Sequence, residues 1–68
     1  MGVDMSALTD RERQIVVLLG QGKTPKQIAL ELGTSARTVR QQVYNARDKV
    51  GCTTVIELAV KAAIGGGE

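Results

Sequence analysis

Apolar residues return along this chain at intervals of three and four, the spacing at which side chains share one face of an α-helix. Ile15, Leu18 and Leu19 form a first set, and Ile28, Ala29 and Leu32 a second. Val39, Val43, Ala46 and Val50 form a third, and Ile56, Leu58, Ala59, Ala62 and Ala63 a fourth. The pattern predicts four helices and no strand, with the apolar stripes converging on one core.

Polar residues mark where the helices begin. Thr9-Asp10-Arg11-Glu12, Thr24-Pro25-Lys26-Gln27 and Thr54-Val55-Ile56-Glu57 all read T-x-x-E/Q. In that form the threonine hydroxyl accepts from the backbone N–H three residues on, while the acid or amide accepts from the threonine's own N–H. Pro25 strengthens the second box, because proline at the first helical position gives up no hydrogen bond and arrives with its φ set. Ser35 can cap a further helix, with Thr38 in the place of the reciprocal acid. Gly20 and Gly22, Gly33, Gly51 and the run Gly65-Gly66-Gly67 are read as helix stops that supply left-handed backbone. The predicted helices are 10–20, 25–32, 36–50 and 55–64, between a flexible N-terminus at 1–7 and a flexible tail at 65–68.

Composition narrows what such a bundle can do. With 68 residues, one Tyr, no Phe and no Trp, there is room for a single domain with a thin aliphatic core, and about 3–5 kcal/mol is a fair ceiling on stability. The absence of His and the single Cys remove a Ser-His-Asp or Cys-His pair, a zinc site of the usual ligand count and a disulfide framework. Glu12 and Glu57 are capping groups and not an acid–base pair, so no catalytic residue, metal or cofactor is assigned and the chain is not read as an enzyme. Cys52 reads as a small core hydrophobe. No apolar run approaches the roughly 18–20 residues of a membrane span, and the M-G-x-x-x-S form of residues 1–6 is too weak a pattern to assign a lipid anchor. The expectation is a cytoplasmic protein with Cys52 reduced and no membrane partner.

Charge is unevenly placed. Residues 1–20 set Arg11 and Arg13 against Asp4, Asp10 and Glu12, and residues 51–68 set Lys61 against Glu57 and Glu68, so each end is mildly acidic. The middle carries Lys23, Lys26, Arg37, Arg40, Arg47 and Lys49 against Glu31 and Asp48. A basic centre between acidic ends suits a polyanion reached by one face, although a solvated helical surface has the same charge.

Helix 36–50 separates the two readings. At about 100° per residue, Val39, Val43, Ala46 and Val50 fall within about 60° of one another, and Arg37, Arg40, Gln41, Tyr44, Arg47 and Asp48 form a second stripe on the other side. Guanidinium forks, an amide and a phenol are groups that reach base edges and phosphates, whereas an inert helix surface favours Glu and Lys in i, i+4 pairs. A short helix, Gly33-Thr34-Ser35 and a longer helix have helix-turn-helix spacing, with Ala29 where two helices must approach closely. A protein-interaction hairpin shares part of this spacing, and both readings remain at this point.

Leu8-Thr9-Asp10-Arg11-Glu12, Gly22-Lys23-Thr24-Pro25-Lys26-Gln27-Ile28-Ala29, Leu32-Gly33-Thr34-Ser35, Thr38-Val39-Arg40 and Lys49-Val50-Gly51-Cys52 occur in that order. Together they resemble the LuxR/FixJ/NarL/GerE family of bacterial helix-turn-helix DNA-binding domains, from Leu8 to Ile64. The resemblance implies a four-helix, all-α domain over 8–64, a sequence-specific transcription regulator whose third helix enters the major groove of double-stranded DNA. By position it implies base contacts from Arg40, Gln41 and Tyr44, with Arg37 nearby, and backbone contacts from Thr24, Lys26, Gln27 and Thr38. Lys23 and Arg47 are assigned to the backbone with them. It also implies a homodimer through the last helix, where the small-residue surface around Ala59, Val60 and Ala63 suits close approach. Gln42 stands where the family often has His, and Tyr44 where it often has Lys, Arg or Ser, so a base preference does not carry over. A second reading is an interaction module, an anti-activator that pairs with a larger regulator of the same type. A third follows Val43-Tyr44-Asn45-Ala46-Arg47, which resembles the end of sigma-factor region 4 and would make RNA polymerase a partner. The relatives commonly carry a further N-terminal domain, so the chain is expected to be a free-standing short member or an excised domain.

Overall fold

The structure, a computed structural model, describes residues 5–65. Met5–Ala7 form a single 3-10 turn, followed by α1 (Asp10–Gly20), α2 (Pro25–Leu32), α3 (Ala36–Val50) and α4 (Val55–Gly65). No strand occurs among the described residues. α1 is the central element: it packs against α4 on one side and α3 on another, while α2 lies against α3. Of the segments expected to be flexible, residues 1–4 and 66–68 lie outside the described residues, as does the start of the M-G-x-x-x-S segment. The 3-10 turn of Met5–Ala7 contacts α3.

The capping chemistry forms largely as written. Thr9 and Glu12 bond reciprocally at 2.9 and 3.1 Å, and Thr24 and Gln27 at 2.9 and 3.2 Å. At α3, the Ser35 hydroxyl accepts from the Thr38 N–H at 3.1 Å and donates to Thr38 Oγ1 at 2.9 Å. The third expected box is only half made. Thr54 Oγ1 accepts from the Glu57 N–H at 3.1 Å, but the Glu57 carboxylate reaches one residue further back and accepts from Thr53 N–H at 3.1 Å. Both arrangements satisfy a donor that a helix start leaves orphaned.

Gly33 and Gly51 close α2 and α3 in the left-handed region, at φ 69° and 75°. Gly20 does something else. It has ordinary helical backbone at the end of α1, and a Cβ there would lie 2.9 Å from the backbone nitrogen of Ala63. Its role is therefore close approach of α1 to α4, and the left-handed residue of that loop is Gly22, at φ 92°.

Ile15, Val16, Ile28, Val39, Val43 and Leu58 fill the centre of the core, with Leu8, Leu19, Ala29, Ala46, Cys52 and Ala62 around them. Leu18, Leu32, Val50, Val55 and Ala59 are partly buried against it. One apolar stripe only partly faces the core: Leu58, Ala59 and Ala62 do so, and Ile56 and Ala63 do not. α4 turns Leu58 and Ala62 inward, whereas Ile56 is 76% exposed and Ala63 is exposed as well. The reason is that α4 is apolar nearly all round, and the Gly20 contact fixes which side meets α1.

The Glu12 side chain is buried, with 6% of it exposed, and its Oε1 accepts from Lys49 Nζ at 2.7 Å as well as from the Thr9 N–H. A buried carboxylate needs such partners, because burial alone favours its neutral form. The Lys49 hydrogen bond, aided by the Thr9 bonds and the ammonium charge, outweighs burial and holds the Glu12 carboxyl below its ordinary value of 4.5. A depressed folded pKa contributes stability that is present above the unfolded value and lost as pH falls through the folded one. Glu12→Gln is therefore expected to lower stability at neutral pH by about 1–2 kcal/mol, discounted for the exposed Lys49 end. In urea melts at several pH values, the gap between variant and parent should close below the Glu12 pKa; a gap that persists undiminished there contradicts the assignment.

Candidate nucleic-acid interface

α2, a three-residue turn and α3 form a fixed unit. The Gly33 and Thr34 amides both donate to the Ala29 carbonyl, the latter at 3.0 Å, which folds the chain back before Ser35 caps α3. α2 packs on α3, with Ile28 and Ala29 buried beside Val39, Val43 and Ala46. Burying those residues commits the opposite side of α3 to solvent. Arg37, Thr38, Arg40, Gln41, Tyr44, Asn45 and Asp48 are all exposed, and Arg47 is half-buried. The second stripe read from the sequence is thus an outer surface carried on a packed scaffold.

Side-chain bonding divides the expected DNA contacts into two groups. Among the described residues, no ion pair engages Lys26, Arg37 or Arg40, the basic groups at the starts of α2 and α3. Lys23, by contrast, pairs with Glu31 at 2.6 Å. Arg47 pairs with Asp48 at 3.1 Å, and its guanidinium carbon lies 5.5 Å from the centre of the Tyr44 ring. Thr24 and Gln27 spend one hydrogen bond each on the α2 cap, and Thr38 Oγ1 accepts from Ser35. Gln41 donates through Nε2 to Asn45 Oδ1 at 3.2 Å. Asn45 was not among the residues assigned from sequence; its i, i+4 spacing from Gln41 is the signal that marks it.

Arg40 and Tyr44 also border a small cleft of about 160 Å³, with Pro25 from the start of α2, Val43 and Val55 from the start of α4. The starts of two helices therefore border the outer face of α3, that of α2 with no acid in its first turn and that of α4 with Glu57 in it. The expected pairing surface lies on α4. Ala59 is half-buried against the core, whereas Val60 is 52% exposed and Ala63 is exposed. Ile56 and Ile64 lie at i, i+4 and i+8 spacing with Val60, and the two isoleucines are exposed too. The Cys52 thiol is buried, and desolvation pushes it above its ordinary value, as suits a core side chain. Among the described residues no group of His, Cys, Asp and Glu could hold a metal ion. None of the described helices is long and apolar enough to cross a membrane.

Residues 6–62 match the family of bacterial regulatory proteins known as the luxR family. The transcriptional regulatory protein UhpA of Escherichia coli is 46% identical over 52 residues, which are 76% of this chain and 26% of that protein. The spore germination protein GerE of Bacillus subtilis is 52% identical over 44 residues, 65% of this chain and 60% of its own. The transcriptional activator SolR of Ralstonia nicotianae is 43% identical over 61 residues, 88% of this chain and 26% of SolR. The chain thus spans about a quarter of UhpA and SolR. No solved structure matches it. The match reaches into α4, ending at residue 62. With its four helices, its helix-turn-helix and this match along most of its length, the chain belongs to the luxR family of bacterial regulatory proteins, as a DNA-binding transcription-regulator domain and not an enzyme.

Proposed function

We propose that the domain reads a specific sequence in double-stranded DNA by laying α3 in the major groove. The observation that carries this is the outer face of α3, where Arg37 and Arg40 stand exposed with no ion pair among the described residues, beside Gln41 and Tyr44. An arginine fork pairs with guanine O6 and N7, and a glutamine amide pairs with adenine N6 and N7. Lys26, at the start of α2, meets the phosphate backbone, with Thr24, Gln27 and Thr38 supplying neutral contacts that set register. Lys23 contributes less, because Glu31 already holds its ammonium. A domain that reads bacterial DNA in this way would act in the cytoplasm, where that DNA lies.

We propose further that two copies pair through Ile56, Val60, Ala63 and Ile64 of α4. An exposed apolar stripe with helical spacing is suited to a self-complementary contact about a two-fold axis. A pair of this kind reads two half-sites about one helical turn apart.

Selection from a randomised duplex pool at two salt concentrations tests the reading, since phosphate contacts weaken steeply with salt. An enriched motif is expected, and Arg40→Ala should then lose about 1–3 kcal/mol of specific affinity with its melting curve unchanged. Affinity unchanged by that substitution removes Arg40 from the reading set. Lys26→Ala should reduce the slope of log affinity against log salt by about one, with a smaller change for Lys23→Ala. Equal effects from the two lysines would mean that the Glu31 pair does not restrain Lys23 on DNA. For the dimer, sedimentation of the parent chain on a two-half-site duplex should show two copies, and Val60→Glu one. A single copy of the parent overturns the homodimer, and co-purification with a larger regulator that Val60→Glu abolishes replaces it with the mixed pair.

A further inference from the structure

The C-terminal half of the α3 outer face holds a cluster that phosphate binding does not require. Arg47 donates from both Nε and Nη2 to a single oxygen, Asp48 Oδ1, at 3.3 and 3.1 Å. Side chains at i and i+1 leave a helix about 100° apart and do not ordinarily face each other. Tyr44 sits one turn toward the N-terminus, in the angle between them, and long helical side chains lean in that direction. The Arg47 guanidinium, 5.5 Å from the ring centre, thus lies over Tyr44 while it bonds to Asp48.

Stability does not account for this arrangement. Asp48 is 70% exposed, and an ion pair of that exposure contributes little to folding. What the cluster does is hold an exposed aromatic ring. A cation over one ring face attracts it electrostatically, and the carboxylate keeps the cation in place. Tyr44 is bounded also by the cleft it shares with Pro25, Arg40, Val43 and Val55. The lone aromatic of the chain therefore stands on the reading face with its freedom reduced.

The cluster also explains how an acidic residue is tolerated on a surface that meets a polyanion. A bare carboxylate there would repel phosphates. Paired with Arg47 it adds no net charge, and in that pairing Arg47 Nε and Nη2 both donate to Asp48.

We infer that Arg47 and Asp48 are positioning residues for Tyr44, which recognises a base through its ring and hydroxyl. This rests on the proposal that α3 lies in the major groove. It assigns Arg47 to sequence discrimination and withdraws it from the phosphate contacts expected from the sequence. An aromatic ring offers an apolar surface to a thymine methyl, and a phenol hydroxyl can donate to or accept from a base edge.

The test compares the parent chain with Tyr44→Ala, Arg47→Ala, Arg47→Lys, Asp48→Asn and Arg40→Ala. Each is put through duplex selection and then a salt series on the parent's motif, with circular dichroism melts confirming the fold. Tyr44→Ala is expected to flatten the preference at one base pair by roughly fivefold or more, within the range a single mismatch covers. Arg47→Ala, Arg47→Lys and Asp48→Asn should flatten that same pair and leave the others intact. The salt slope should stay at the parent value when Arg47→Ala is combined with Asp48→Asn, since no phosphate contact is lost and no bare carboxylate remains. Should that double variant lower the slope by about one and weaken all sequences alike, while Arg47→Lys keeps both at the parent level, Arg47 is a phosphate contact and the inference is overturned. A motif changed by Arg40→Ala but untouched by Tyr44→Ala also overturns it, with α3 still the reading helix. If neither substitution alters the motif, or no motif is enriched, the groove reading itself has failed and this inference goes with it.

Discussion

A single buried carboxylate ties the domain together. Glu12 belongs to the first turn of α1, yet its oxygen also holds Lys49, 37 residues later and near the end of α3. Removing Lys49 would leave a buried carboxylate without its charged partner, which costs more than the intact pair contributes. The same carboxylate completes the α1 cap by accepting from Thr9. One group therefore sets where α1 begins and where the far end of α3 lies against it. The near end of α3 is fixed separately, by Ser35 and the Gly33 turn that follow α2. A helix held at both ends presents its outer face in one orientation, and that preorganisation is what a reading surface needs.

The rest of the packing follows from having no large side chain to spare. The core contains no aromatic residue, and Ala29, Ala46, Ala62 and Cys52 occupy buried positions beside branched aliphatics. Small side chains fill space only when backbones come close. Gly20 allows this between α1 and α4: its missing Cβ leaves room for the backbone at Ala62 and Ala63. That contact also decides the outward direction of Ile56, Val60 and Ile64, so the apolar face of α4 is a by-product of the α1 crossing as much as a feature of α4 itself.

Local chemistry was legible in the sequence and distant pairing was not. The T-x-x-E/Q boxes, the Ser35 cap and the stops at Gly33 and Gly51 act within a few residues, so a linear reading finds them. The two faces of α3 were legible for the same reason, since one helix with a narrow apolar stripe has one way to be buried. α4 was not, because apolar residues lie on most of its circumference and periodicity alone cannot choose between Leu58 with Ala62 and Ile56 with Ala63. Gly20 reads as a stop in any one-dimensional account; only its neighbour across the fold shows that it is a contact. The Glu12–Lys49 and Lys23–Glu31 pairs likewise carry no signal in spacing, and each changes what a charged residue is free to do.

This last effect reshapes the basic surface. Six cations lie in the central segment, which on paper makes a uniformly positive face. In the fold, Lys49 is drawn to Glu12, Lys23 to Glu31 and Arg47 to Asp48. Lys26, Arg37 and Arg40 remain without an ion pair among the described residues. These three lie at the start of α2 and in the first turns of α3, where the unpaired amides of helix N-termini add further positive potential. Attraction to a polyanion is therefore strongest at one end of the helix-turn-helix, and the later turns of α3 are close to neutral. On the proposed groove reading, a helix with that gradient would enter by its N-terminal half, leaving Tyr44 and its neighbours to discriminate by shape and hydrogen bonding.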